Sequence, residues 1–97
     1  MLKPHVCSGL DTRRRKILFR SWHRGMREVD LLLGRFAEVQ IASLSDTELD
    51  AYESLLEAAD RDIFAWLIGE ADPPSPYDTS ILQKIRAFHA HAAPLHR

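Results

Sequence analysis

Ninety-seven residues, 45% hydrophobic and 28% charged, suit one compact domain whose modest core leaves little room for a deep catalytic pocket, which argues against a freestanding enzyme. The single cysteine, Cys7, cannot close an internal disulfide, and no apolar run approaches the ~18 residues of a membrane span, so a cytoplasmic chain that does not insert into a membrane is expected. The net charge of −1 hides nine Lys or Arg against three acids in residues 1–35 and one Arg against eleven acids in residues 36–78, so a charge-guided partner would meet a basic end and an acidic middle.

Residues 1–10 carry no periodic pattern and are expected to be flexible. Residues 1–22 hold six basic side chains against Asp11 alone, a balance that resembles an organelle transit peptide. That reading is set aside because the arginines belong to a helix. From Asp11 to His23, Asp11 or Thr12 offers an N-cap, and Ile17, Leu18 and Trp22 share a helical side. Gly25 then stands where a left-handed residue would end that helix. A second helix is predicted from Met26 to Ala42, with Val29, Leu32, Leu33, Phe36 and Val39 at spacings of three and four.

In S-L-S-D-T-E-L, Ser45 and Glu48 have the spacing of a capping box, which opens a third helix with the stripe Leu49, Tyr52, Leu55, Leu56 and Ala59. Asp60 can end that helix and cap a fourth, whose stripe is Ile63, Phe64, Leu67 and Ile68 before Gly69. The prolines of E-A-D-P-P-S-P-Y make a connector. Asp78 or Thr79 caps a fifth helix bearing Ile81, Leu82, Ile85 and Phe88, and the stretch from His89 onward reads as a loose tail. Strand-like alternation and internal repeats are missing from the sequence, so the expected fold is all-α: a compact five-helix bundle over residues 11–91, with 92–97 as a flexible end.

Candidate chemistry is sparse. The run Arg13-Arg-Arg-Lys16 with Arg20 and Arg24 could meet phosphates, but a charge run on a helix is usually a solvated face, and no stacking platform accompanies it. His89 and His91 diverge on a helix and, with His96, lack an acid or thiol to complete a metal shell. Trp22, Trp66, Phe36, Phe64 and Tyr52 could stack on a flavin, yet aromatics at helical spacing are core more often. The sequence supports no phosphate-binding glycine motif and no nucleophile triad. What stands out is R24-G-M-R-E28. A helix corner accounts for Gly25 and for Glu28 at a helix N-terminus, with Arg24 reaching the last carbonyls of the first helix. A docking corner accounts for the crowding of Arg24, Arg27, Glu28 and Asp30, with Gly25 admitting a partner's backbone. The residues alone leave both readings open.

The ordered segments H23-R-G-M-R-E-V-D-L-L-L-G-R-F, S43-L-S-D-T-E-L and L55-L-E-A-A-D-R-D-I-F-A-W-L closely resemble the SdhE family of FAD assembly factors, bacterial counterparts of the mitochondrial succinate dehydrogenase assembly factor. The resemblance covers roughly residues 12–90. It places the family's R-G-x-x-E signature on Arg24, Gly25 and Glu28, its following acid on Asp30, and its D-x-D-[IL]-F-x-W-L segment on Asp60, Asp62, Ile63, Phe64, Trp66 and Leu67. The Pro-rich connector and the histidine-bearing end depart from the pattern. The resemblance implies a non-catalytic factor that binds the flavoprotein subunit of succinate dehydrogenase, and in some bacteria fumarate reductase, and promotes covalent attachment of FAD to a histidine of that subunit. The residues and the resemblance together permit a partner-binding corner in which Arg24 and Glu28 make the directed polar contacts, Gly25 permits close approach, Met26 and Asp30 flank them, and Arg20 and Arg27 are secondary contacts. The chain is expected to be a monomer that holds no cofactor stably, FAD belonging to the client, and to leave nucleic acid alone. The alternative is a small helical adaptor that binds nucleic acid through its basic first helix.

Overall fold

Five α-helices follow one another in the computed structural model, which describes residues 9–91: α1 Thr12–Trp22, α2 Arg27–Gln40, α3 Asp46–Leu56, α4 Asp60–Leu67 and α5 Ser80–His91. Single 3₁₀ turns at Ile41–Ser43 and Ser75–Tyr77 lie between them. The all-α five-helix architecture expected from the periodicity is the one observed; residues 1–8 of the first expected flexible end and all of the second, 92–97, lie outside the described residues.

Asp11 is the cap of α1: its Oδ1 accepts the Arg14 amide at 2.8 Å and its Oδ2 accepts from Arg14 Nη1 at 2.8 Å. That amide, ahead of the Arg14 charge, holds the Asp11 carboxyl below the usual carboxylate range. Ile17, Leu18 and Ser21 form the buried face of α1. On α2, Val29, Leu32, Leu33 and Phe36 are buried as their spacing requires, but Val39 is 64% exposed. The buried arc is turned toward Gly34 and Ala37, because the Trp22 indole lies flat on α2 there. A Cβ at Gly34 would come within 2.3 Å of the indole, so this close approach is what requires glycine.

The capping box of α3 is complete: Ser45 Oγ accepts the Glu48 amide at 3.1 Å, and Glu48 Oε1 accepts the Ser45 amide at 2.9 Å. Leu49, Tyr52, Leu55 and Leu56 are buried, but Ala58 takes the place expected for Ala59. Ala59 is exposed and is itself the N-cap residue of α4, so Asp60 occupies the first helical position rather than the cap. Along α4 the buried residues are Ile63 and Trp66, whereas Ile68 is 41% exposed. The helix ends at Gly69, whose φ of 82° is left-handed. There the Gly69 amide donates to the Trp66 carbonyl at 3.4 Å and the Glu70 amide to Ala65 at 2.8 Å, the paired closure that glycine permits.

The connector is pinned by Tyr77, whose ring stacks on Trp66 at 5.0 Å between centroids. On α5, Ile81, Leu82 and Ile85 are fully buried and Phe88 meets Phe36 edge-on at 5.6 Å. The helix does not stop at His89 as the loss of apolar period suggested. It runs to His91, and the half-buried His89 donates through Nε2–H to the Leu32 carbonyl at 2.7 Å, which ties this turn to α2.

Helix α1 packs along α2, and α5 lies across α2, α3 and α4. One apolar cluster joins all five, with Leu18, Val29, Leu33, Leu49, Ile63 and Leu82 each fully buried. At the meeting of α1, α2 and α3, two hydroxyls thread the core: Ser21 Oγ lies 2.8 Å from Tyr52 Oη and 2.8 Å from the Ile17 carbonyl, and Tyr52 Oη lies 3.1 Å from the Leu33 carbonyl, so two hydroxyl protons serve three contacts. Burial pushes the Tyr52 phenol well above its ordinary range, so it stays a neutral donor.

Candidate functional site

The turn between α1 and α2, residues 23–26, is stitched to the turn between α3 and α4. Arg24 does most of the stitching. Its Nε donates to Asp60 Oδ1 at 2.7 Å, its Nη1 to the Leu56 carbonyl at 2.7 Å and its Nη2 to the Ala58 carbonyl at 2.9 Å. The carbonyls it reaches therefore belong to the end of the third helix, not the first. A guanidinium at the C-terminus of α3 and a carboxylate at the N-terminus of α4 each meet the favourable end of a helix dipole. The Arg24 side chain is only 13% exposed and that of Asp60 18%, so this pair is screened far less than a surface pair.

Two further contacts close the corner. The Arg24 amide donates to Asp30 Oδ1 at 2.6 Å, and the Gly25 amide donates to Asp60 Oδ2 at 2.6 Å. The two successive amides of Arg24 and Gly25 are thus held by carboxylates. Gly25 does not adopt the left-handed conformation expected of it: the glycines with positive φ among the described residues are Gly9 and Gly69. Its absent Cβ matters because that atom would sit 3.0 Å from Asp60 Oδ2 and because the residue lies at the surface.

The residues singled out in the sequence divide by what they touch. Arg24 and Asp30 face inward and hold the turn. Met26 is the N-cap residue of α2, without a side-chain cap, and packs partly against the core. Arg27 and Glu28 open α2 at the surface, and neither has a side-chain partner among the described residues. Arg20 lies one turn away and pairs with Glu57 at 2.8 Å, a bridge at the surface. The resemblance marked Asp60 only as a matching letter, and periodicity treated it as a cap. Its part in the corner joins residues 36 apart, which no local pattern encodes.

Beside Gly25 a shallow groove opens between the two turns, lined by Gly25, Met26, Ala59, Asp60, Arg61 and Asp62. A braced, nearly flat corner with exposed charges on either side of a Cβ-less residue suits contact with another protein's backbone. No cluster of three or more potential metal ligands occurs among the described residues.

Residues 15–89 match a family model described as flavinator of succinate dehydrogenase. The mitochondrial succinate dehydrogenase assembly factor 2 of Dictyostelium discoideum is 39% identical over 88 residues, covering 91% of this chain and 62% of the relative. The protein of that name from Caenorhabditis elegans is 35% identical over 82 residues, covering 81% of this chain and 69% of the relative. The FAD assembly factor SdhE of Acetobacter pasteurianus is 36% identical over 76 residues, covering 78% of this chain and 70% of the relative. The chain thus spans from 62% to 70% of the length of these relatives. The match takes in both turns of the stitched corner and every helix that positions them. The chain belongs to the family of flavinators of succinate dehydrogenase.

Proposed function

We propose that this chain is a non-catalytic assembly factor that docks on the flavoprotein subunit of succinate dehydrogenase and promotes covalent attachment of FAD to a histidine of that subunit. The observation that carries the reading is the stitched corner: Arg24 and Asp60 brace it from inside, while Gly25, Arg27 and Glu28 are left at the surface. In this reading Gly25 lets the client's backbone approach, Glu28 and Arg27 make directed polar contacts, and Met26 supplies an apolar one. Arg24 and Asp30 hold the surface in shape before docking, which lowers the ordering cost of binding.

The chemistry then belongs to the client. Covalent attachment would replace a C–H bond of the flavin methyl by a C–N bond to an imidazole nitrogen, the two protons and two electrons released reducing the flavin ring itself, and the factor's part is to hold the client so that these atoms meet. Orientation alone can contribute several kcal/mol to such a step, of order 7–11 in favourable intramolecular cases. FAD is bound by the client rather than by this chain, which acts as a monomer in the cytoplasm. Fumarate reductase, as a related flavoprotein, is a second client in the same reading. None of the described helices is long and apolar enough to cross a membrane.

Structure weakens the rival reading, an adaptor gripping nucleic acid through α1. Arg13 faces Asp50 and Glu53, Arg14 is turned to Asp11 and to the Ile41 carbonyl, and Arg24 is folded into the corner. With Arg20 paired to Glu57, four of the six cations of the apparent phosphate-binding run are engaged with acids within the molecule. The deciding measurement is covalent flavin fluorescence of the denatured flavoprotein subunit, matured with and without this chain. A large increase is expected with the chain, and equal signals would overturn the assignment.

A further inference from the structure

We propose that the outer face of α1, built on Arg15, Lys16, Phe19 and His23, is a second docking surface for the client flavoprotein, and that its occupant is an acidic segment carrying an apolar side chain. This rests on the docking reading of the corner and adds to it a contact that the corner does not contain.

Phe19 is 57% exposed, on the side of α1 opposite Ile17 and Leu18. Its ring is held rather than loose. His23 stacks on it at 3.8 Å between centroids, 15° from parallel, with His23 Nδ1 2.7 Å from the Phe19 carbonyl. That bond fixes the imidazole with Nδ1–H as donor and so fixes the platform. Next to the ring lies a shallow, mainly apolar groove lined by Thr12, Arg15, Lys16, Phe19 and Arg20. The floor is thus an aromatic ring with aliphatic stems, and the rim is cationic.

The charges on this rim differ from the others of α1. Arg13 and Arg14 are engaged with acids and carbonyls of the core side, and Arg20 is paired with Glu57. Arg15 reaches the Leu10 carbonyl at 3.0 Å and the Thr12 hydroxyl at 3.5 Å, and neither Arg15 nor Lys16 is ion-paired with a carboxylate among the described residues. Two unneutralised cations beside one ordered ring complement a carboxylate next to an apolar side chain. A nucleic-acid backbone calls for a longer row of free cations than this face keeps. The stripe also leads somewhere: residues 12, 15, 16, 19 and 23 follow one helical side for about 16 Å and end beside Arg24, so one client can cover both surfaces at once.

The test measures Kd between the purified chain and the apo flavoprotein subunit of succinate dehydrogenase at several salt concentrations, with circular dichroism confirming that each variant is folded. The variants are R15E/K16E, Phe19→Ala, Gly25→Arg as the corner control and Arg35→Glu as a surface-charge control. Expected are a roughly tenfold weaker Kd and a flatter salt dependence for R15E/K16E. A roughly fivefold weaker Kd is expected for Phe19→Ala, and no change for Arg35→Glu. Covalent flavin yield should fall for the first two variants at limiting factor and recover at excess factor. Loss of binding in Gly25→Arg with wild-type Kd in R15E/K16E and Phe19→Ala overturns this proposal alone. A wild-type chain that does not bind the subunit overturns both readings. Binding of an oligonucleotide or of free FAD that these α1 variants abolish, while client binding is unchanged, overturns it in favour of that ligand.

Discussion

At the scale of single residues, the corner separates bracing from contact, and mutations should separate them too. Removing Arg24 strands the Asp60 carboxylate and two carbonyls in a largely buried setting. Arg24→Ala is expected to cost about 3–5 kcal/mol of stability, the range for breaking a buried pair on one side. Glu28→Ala should change stability by no more than about 0.5 kcal/mol, because the side chain is exposed, yet it should lower covalent flavin yield in the client. Urea unfolding paired with flavin fluorescence checks both, and a strongly destabilising Glu28→Ala would contradict the division. Gly34 gives a prediction free of function. A methyl there collides with the Trp22 ring at 2.3 Å, so Gly34→Ala should destabilise by about 1–3 kcal/mol despite its better helix propensity.

Legibility at this scale was uneven. Gly25 could be picked out from the letters, but the reason first attached to it, a left-handed helix end, holds instead for Gly69. Both glycines stand just past the end of a helix, and backbone sign is not written in that position. What distinguishes Gly25 is the Asp60 carboxylate against it, a contact across 35 residues.

Among the elements, α3 is the one whose start is most completely specified by local chemistry. Both halves of its capping box are made, and Lys84 from α5 also pairs with Glu48. Ser45→Ala is expected to cost about 1 kcal/mol. The Lys84 ammonium first, and then the Ser45 amide, hold the Glu48 carboxyl below its usual range. Since the folded value is depressed, this contribution is complete above the ordinary glutamate value of about 4.3 and is lost as pH falls through the lower folded value. The Tm difference between wild type and Glu48→Gln should therefore narrow below about pH 4; a gap that stays constant there would rule out this role. The start of α4 was harder to read. Asp60 looks like an N-cap, yet Ala59 takes that position, because the carboxylate is drawn one residue further round toward Arg24 and Gly25. A tertiary ion pair here overrides a local capping preference.

For the whole molecule, the question is what holds the ends of the chain to the middle. His89 is one answer: the last full turn of α5 is anchored to the Leu32 carbonyl in α2. Burial, aided by the Arg35 charge, pushes its imidazole below the ordinary histidine value, against the raising effect of the bond to Leu32. A depressed value means the unfolded chain binds the proton more readily. Stability from this site is thus complete above about pH 6.5 and declines as pH falls toward the folded value. His89→Gln, which can keep an amide donor toward Leu32, should flatten the stability profile below about pH 6.5 in thermal melts.

The sequence by itself determined the helices, their order, most of the core and the family, because apolar period, caps and ordered motifs are properties of neighbouring residues. It also marked the region of the docking corner. Only the tertiary structure decided which charges there look outward. Arg24 and Asp60 stand 36 positions apart, and the same guanidinium that reads as a contact residue in a motif becomes a brace once two turns meet. The basic run of α1 changed in the same way: acids and carbonyls from distant segments engage Arg13, Arg14 and Arg24, while Arg15 and Lys16 have no carboxylate partner beside Phe19 among the described residues. Local patterns fix most of what a helix buries, but charge pairing depends on which surfaces the packed helices bring together.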